Sequence, residues 1–184
     1  MKKAIVLLAN GFEEIEALAT IDILRRLDIE VTTLSIGDIQ VAGAHGVTIL
    51  ADALLNNTEA TTADILILPG GAPGSWNLRD SAEVISLIRN YHSAGKWIAA
   101  LCAAPIALAK AGVLEGIAVT AYPAAPVTDE LTMARYTGNL VEQDGRIITG
   151  KGPGAAIEFA FRIAAALDKS NIIPAMRQEM ILEN

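Results

Sequence analysis

The chain has 184 residues, 52% of them hydrophobic and only 4% aromatic, enough apolar mass for one well-buried core built mainly from Ala, Ile, Leu and Val. A formal net charge of −7 argues against nucleic acid or an anionic membrane surface as the main partner, since both demand a basic face, and no apolar run approaches the length of a membrane span. The single cysteine excludes an internal disulfide and a cysteine-built metal cluster and suits a reducing, cytoplasmic setting, while two scattered histidines, His45 and His92, supply no convincing metal set.

Residues 4–8 read as a first strand. The flanking Met1-Lys2-Lys3 has the outline of a signal peptide, but the apolar run is broken by Asn10-Gly11 and then by Glu13, Glu14 and Glu16. Residues 13–27 follow as a helix, with Ile15, Leu18, Ile21, Ile23 and Leu24 near helical period as its apolar stripe. A second strand at 30–36 leads to a short hairpin, 39–41 with 47–50, around Ala42-Gly43-Ala44-His45-Gly46. Asn56-Asn57-Thr58 formally matches a glycosylation acceptor, which carries no meaning in a cytosolic protein.

Residues 64–68 form a continuous apolar strand that ends in Pro69-Gly70-Gly71-Ala72-Pro73-Gly74, and 81–91 read as a helix stopped near Gly95. A strand at 96–101 runs directly into a helix-like stretch at 103–109. A short strand at 119–121 is closed by Tyr122-Pro123, and 139–142 with 146–149 form a hairpin about Gln143-Asp144-Gly145. Gly150 to Gly154 then opens a last apolar helix, 155–167, followed by a docked or partly mobile tail at 169–184. Strands alternating with helices predict a single α/β domain over 1–184 with a mostly parallel sheet covered on both faces.

Cys102 stands at the junction of the 96–101 strand and the following helix. A strand that turns sharply into a helix lifts the residue at the turn out of the sheet and points free N–H groups at it, which favours an anion there. Ala100-Leu101-Cys102-Ala103-Ala104 has the spacing of the G-x-S-x-G elbow, with alanines for glycines and sulfur for oxygen. Pro105 falls in the first turn of the helix, and Gly112 marks its stop. A lone intracellular cysteine is more often a buried hydrophobe, but the elbow favours a reactive thiol.

In an open α/β sheet the ligand crevice lies at the carboxyl ends of the strands. Gly70-Gly71 permits close backbone approach, and an N–H there could join that of Ala103 as an oxyanion hole, although an ordinary turn explains the glycines equally well. Glu13, Glu14 and Glu16 all open a helix, where charge complementarity alone accounts for them. If one of them turns into the crevice, burial and a neighbouring thiolate raise its pKa, and its proton can then be shared with sulfur. Gly150 to Gly154 gives G-x-G-x-G, which supports neither a dinucleotide site nor a phosphate loop.

Four segments together resemble the ThiJ/PfpI superfamily, in the branch of the parkinsonism-associated protein and its bacterial relatives. They are Gly11-Phe12-Glu13-Glu14-Ile15-Glu16, Leu66-Ile67-Leu68-Pro69-Gly70-Gly71, Ile98-Ala99-Ala100-Leu101-Cys102-Ala103-Ala104-Pro105, and Thr149-Gly150-Lys151-Gly152-Pro153-Gly154 with Glu158-Phe159-Ala160. The resemblance implies a flavodoxin-like three-layer sandwich, a homodimer, and a site in which Cys102 is the nucleophile, Glu16 its protonated partner, and the Gly71 and Ala103 N–H groups surround the sulfur. It implies a cofactor-free, metal-free glyoxalase or deglycase acting on small α-oxoaldehydes or glycated protein, with an oxidative-stress sensor or chaperone, its Cys102 oxidised to a sulfinate, as the alternative. Two positions depart from the family pattern. Tyr122, before Pro123, replaces the active-site histidine, and a phenol with a reference pKa of about 10 is a poor base at neutral pH. His45 stands where this branch often has an arginine that reaches the neighbouring subunit's cysteine, so it is expected to restore some polarity across a dimer interface.

Overall fold

Apolar runs buried on both faces make the centre of a seven-stranded sheet, seen in a computed structural model that describes residues 1–55 and 58–182. Asn56 and Asn57 of the glycosylation match, and the last two residues of the tail, lie outside the described residues. The first half of the chain runs β1 (Lys3–Leu8), α1 (Glu14–Arg26), β2 (Glu30–Ser35), the antiparallel pair β3 (Gln40–Ala42) and β4 (Thr48–Leu50), then β5 (Ala53–Leu54) and β6 (Ile65–Leu68). It continues through α2 (Gly74–Asp80), α3 (Ala82–Ser93), β7 (Trp97–Leu101), α4 (Pro105–Ala111), β8 (Ala118–Val119) and α5 (Ala125–Thr128). The last elements are β9 (Arg135–Tyr136), β10 (Val141–Asp144), β11 (Ile147–Gly150), α6 (Ala156–Ala166) and α7 (Ile173–Glu179).

The sheet order is β10-β11-β7-β6-β1-β2-β5, parallel throughout except for the antiparallel β10–β11 edge. Within it, β2-β1-β6-β7-β11 is the doubly wound flavodoxin order. Alternate residues of β6 serve two cores: Leu66 and Leu68 pack with Val84, Ile88 and Ile106 of α3 and α4, whereas Ile65 and Ile67 pack with Leu24 and Ile163 of α1 and α6. The result is the α/β three-layer sandwich expected from the sequence, and it brings the ends of β1, β6 and β7 together at one edge. Among the described residues, no helix is long and apolar enough to cross a membrane.

Three differences from the sequence reading have physical causes, and one open alternative is decided. The strand expected at 119–121 lies outside the central sheet: β8 pairs only with β9, because Asp144 Oδ2 and Thr149 Oγ1 accept the Ala118 and Thr120 N–H groups, each at 2.8 Å. The apolar stripe of α1 is inverted in its first turns, where Ile15 and Leu18 are exposed and Glu14 and Glu16 are buried. Helix α2 and the short elements β5, α5 and β9 carry too little periodicity to be seen in advance. The tail docks through α7, whose Ile173 and Met176 pack on the core and whose Arg177 holds Glu158 at 2.8 Å.

Candidate active site

Strand β7 ends against Cys102, whose φ of 63° places a non-glycine residue in the left-handed region. That conformation stores strain and persists only where the surroundings fix it. They do so from both sides: the Cys102 N–H donates to the Gly150 carbonyl at 2.8 Å, and the Cys102 carbonyl accepts the Tyr122 N–H at 2.8 Å. Pro105 opens α4, and Gly112 caps it at φ 77°. The elbow anticipated from the small residues around Cys102 is therefore present.

Glu16 arrives on the first turn of α1 and is completely buried. Its Oε2 accepts the Gly70 N–H at 2.7 Å, and its Oε1 makes no conventional hydrogen bond. A Cβ added at Gly70 would lie 2.6 Å from Cys102 Cβ and 2.6 Å from Glu16 Oε2, so glycine lets the carboxyl, the thiol and the β6 turn share one small space. Gly71 has φ 100°, and any side chain there would collide with the backbone of residues 11–13.

Burial pushes the Glu16 carboxyl up to about 7; the Cys102 contact and the Gly70 N–H oppose that rise, and the Glu13 charge adds to it. The thiol moves in the same direction. Burial first, then the Glu16 charge and contact, raise Cys102, while the Ala103 and Gly71 N–H groups partly offset them. Against the expectation of a thiol ionised at a helix start, Cys102 is 8% exposed beside a carboxyl, and burial raises the thiol by more than the two amide donors lower it. The two groups behave as a pair in which the carboxyl is the first to lose its proton, leaving a carboxylate beside a protonated thiol.

The sulfur opens onto a cleft of about 590 Å³ whose walls include Glu13, His45, Trp76, Tyr122 and Val127. All six residues singled out in the sequence thus fall in one region. Cys102, Glu16, Gly71 and Ala103 gather at the sulfur, and Tyr122 and His45 stand on the cleft wall. His45 borders the cleft of its own chain. Its N–H donates to Glu14 Oε1 at 2.7 Å and its Nδ1 lies 3.0 Å from Glu14 Oε2 and 3.4 Å from Glu13 Oε2, which together raise its pKa. In Glu14, burial is outweighed by its own backbone N–H, the His45 ring, and the N–H groups of His45 and Val47, and the carboxyl is held below the usual range. Sequence reasoning missed the Gly70 N–H as the anchor of Glu16 and the meeting of His45 with two glutamates. The Gly70-Gly71 doublet was the available signal for the first; nothing in the sequence flagged the second.

Residues 2–166 match the family described as DJ-1/PfpI. The chain is 40% identical to the protein dj-1beta of Drosophila melanogaster over 90% of this chain and 89% of that one. The crystal structure of that fly protein superposes with a TM-score of 0.93, covering 100% of this chain and 99% of the other at 37% identity. The glutathione-independent glyoxalase DJR-1.2 of Caenorhabditis elegans is 34% identical over 91% of this chain and 89% of its own. An oxidised Toxoplasma gondii DJ-1 structure gives a TM-score of 0.90 at 34% identity, with 98% of each chain covered.

Proposed function

The chain belongs to the DJ-1/PfpI family, and we propose that it is a cysteine-dependent glyoxalase or deglycase acting on small α-oxoaldehydes or their early glycation adducts. The observation that carries this reading is the buried Glu16 carboxyl, raised to about 7, packed beside a strained Cys102 that faces two backbone N–H groups. A base poised near the working pH is the efficient one for proton transfer.

With methylglyoxal, the Glu16 carboxylate takes the S–H proton as sulfur adds to the aldehyde carbon, and returning that proton to the new oxyanion gives a hemithioacetal. The Gly71 and Ala103 N–H groups face the developing charge. Glu16 then removes the C1 hydrogen as a proton, giving an enediol, and delivers it to C2. Water cleaves the resulting thioester, releasing lactate and the free thiol. Methylglyoxal and one water are consumed, and no electron acceptor or cofactor enters the balance. The Tyr122 hydroxyl stands at the rim to hold a substrate oxygen. Lacking imidazole's basicity, it makes turnover slow. The glyoxalase among the relatives supports this assignment.

The active unit is a homodimer in a reducing, cytoplasmic setting. Exposed Ile15 and Leu18 on α1 and exposed Val47 and Leu50 on the β3–β4 hairpin supply an apolar face for the second copy. Lactate production from methylglyoxal by purified protein, abolished in Cys102→Ser, tests the enzymatic reading; equal behaviour of the two proteins removes it. The same thiol also supports a second reading, an oxidative-stress sensor or chaperone whose Cys102 becomes a sulfinate, and one solved structure among the relatives is of an oxidised form. A mass gain of two oxygens after mild peroxide, absent in Cys102→Ser and accompanied by no aldehyde turnover, favours that second role.

A further inference from the structure

Beside the sulfur, at the rim of the cleft, one imidazole nitrogen serves two buried carboxylates. His45 Nδ1 lies 3.0 Å from Glu14 Oε2 and 3.4 Å from Glu13 Oε2. The ligand atoms of the three residues fall within 4.8 Å of one another. A single N–H proton can be directed along only one of these two lines, so as an ion pair the arrangement leaves one carboxylate served at a distance. The one left so is Glu13. It is only 9% exposed, its Oε2 points at the imidazole, and among the described residues it has no closer donor.

The spacing suits a different occupant. Zinc–nitrogen and zinc–oxygen bonds of roughly 2.0–2.2 Å put neighbouring donor atoms about 3.0–3.5 Å apart, in tetrahedral or octahedral arrangement. The two separations from the imidazole nitrogen lie in that interval, and all three ligand atoms fall within 4.8 Å of one another. The supporting contacts are also in place: the His45 and Val47 N–H groups hold Glu14 Oε1 at 2.7 and 3.3 Å, leaving Oε2 turned to the histidine. Gly43 makes this possible, because a side chain there would occupy the volume of the Glu14 carboxylate. Glu13 and His45 both border the open cleft, which provides an entry path and a free coordination position.

We propose that His45 Nδ1, Glu13 Oε2 and Glu14 Oε2 form a three-ligand site for a divalent transition-metal ion at the mouth of the cleft. One imidazole and two carboxylates select a borderline ion such as zinc over calcium or magnesium, which prefer all-oxygen sites. Two carboxylate charges neutralise the ion, and the position facing the cleft stays open to water or to an anionic ligand. The proposal does not depend on the glyoxalase reading, since none of the three ligands performs a step of that reaction.

The test is calorimetric titration of metal-free protein with zinc chloride, repeated with cobalt(II) and monitored by its visible absorption. One equivalent of zinc binds, cobalt shows a coordination spectrum, and both signals disappear in His45→Ala and weaken by roughly tenfold or more in Glu13→Gln. Cys102→Ser binds as the parent does. The His45 side chain is 71% exposed, so its loss leaves the fold intact, and a thermal melt confirms this. Absence of zinc binding, binding that survives His45→Ala, or binding lost in Cys102→Ser each overturns the proposal, the last by assigning the ion to the thiol.

Discussion

The Gly70 N–H donates to Oε2 of Glu16 at 2.7 Å across 54 positions of sequence, and this bond aims the buried carboxyl at the cysteine elbow. It forms only because residue 70 has no side chain: a methyl there would press on Cys102 Cβ and on Glu16 Oε2 at 2.6 Å each.

Gly70→Ala therefore pushes the carboxyl and the sulfur apart while leaving both residues in place. A displacement of about 1 Å in a catalytic pair costs roughly 100-fold in rate. The expected result is a fall of that order in kcat/KM for methylglyoxal, in a protein whose far-UV circular dichroism matches the parent's. Undiminished turnover would show that the carboxyl–thiol spacing is immaterial.

Iodoacetamide alkylation against pH reports how the pair holds its protons. In the parent protein the thiol keeps its proton above the free-cysteine value, because burial and then the Glu16 charge and contact raise it. In Glu16→Gln the charge is gone and burial remains, so the alkylation midpoint falls below the parent's while staying above the free-cysteine value of about 8.5. Two coincident profiles would mean that Glu16 has no part in setting the protonation of the sulfur.

Much of this arrangement was legible in the chain, and what was not follows a physical pattern. The buried parallel strands β1, β6 and β7 announce themselves as continuous apolar runs, and the alanines about Cys102 announce the elbow. In α1 the signal misleads: Ile15 and Leu18 follow helical period yet face outward, while Glu14 and Glu16 are buried, because the first turn serves the site and not the core. Strands β5, β8 and β9 are two residues each and exist only through long-range pairing. His45 and Glu14 are 31 positions apart, and no local rule joins them.

Stability carries the same signature. The folded chain keeps the Glu16 proton up to about 7, whereas the unfolded chain loses it near 4.5, so the folded state binds more protons between those values and unfolding grows easier as pH rises through them. The full effect is about 3 kcal/mol, complete above pH 7. Glu16→Gln removes this slope. Urea denaturation at pH 5 and pH 8 is expected to show the parent losing stability relative to the variant on going to pH 8, and parallel behaviour would refute the buried-carboxyl assignment.

Tyr122 stands where the resemblance leads us to expect a histidine, and its backbone N–H already holds the elbow from the cleft side at 2.8 Å. Tyr122→His keeps that backbone bond and adds a group that titrates near neutrality. General acid–base groups contribute roughly 100-fold or more, so kcat with methylglyoxal is expected to rise by at least about tenfold, whereas Tyr122→Phe, which loses the hydroxyl's hold on a substrate oxygen, raises KM without raising kcat. A histidine variant no faster than the parent would show that proton transfer at this wall is not limiting.

The exposed face of α1 gives the last prediction. Leu18 and Leu50 are 39% and 73% exposed, on the helix and the hairpin that also carry Glu16 and His45. An apolar face left to water is unfavourable by about 25 cal/mol per Å², which a second copy of the chain recovers by covering it. Placing a carboxylate there makes the same burial unfavourable, because a charge must be stripped of water without a partner. Leu18→Glu combined with Leu50→Glu is thus expected to halve the mass found by light scattering while leaving the monomer folded. A parent protein that is already monomeric removes the dimer, and a variant that remains dimeric places the contact between copies elsewhere.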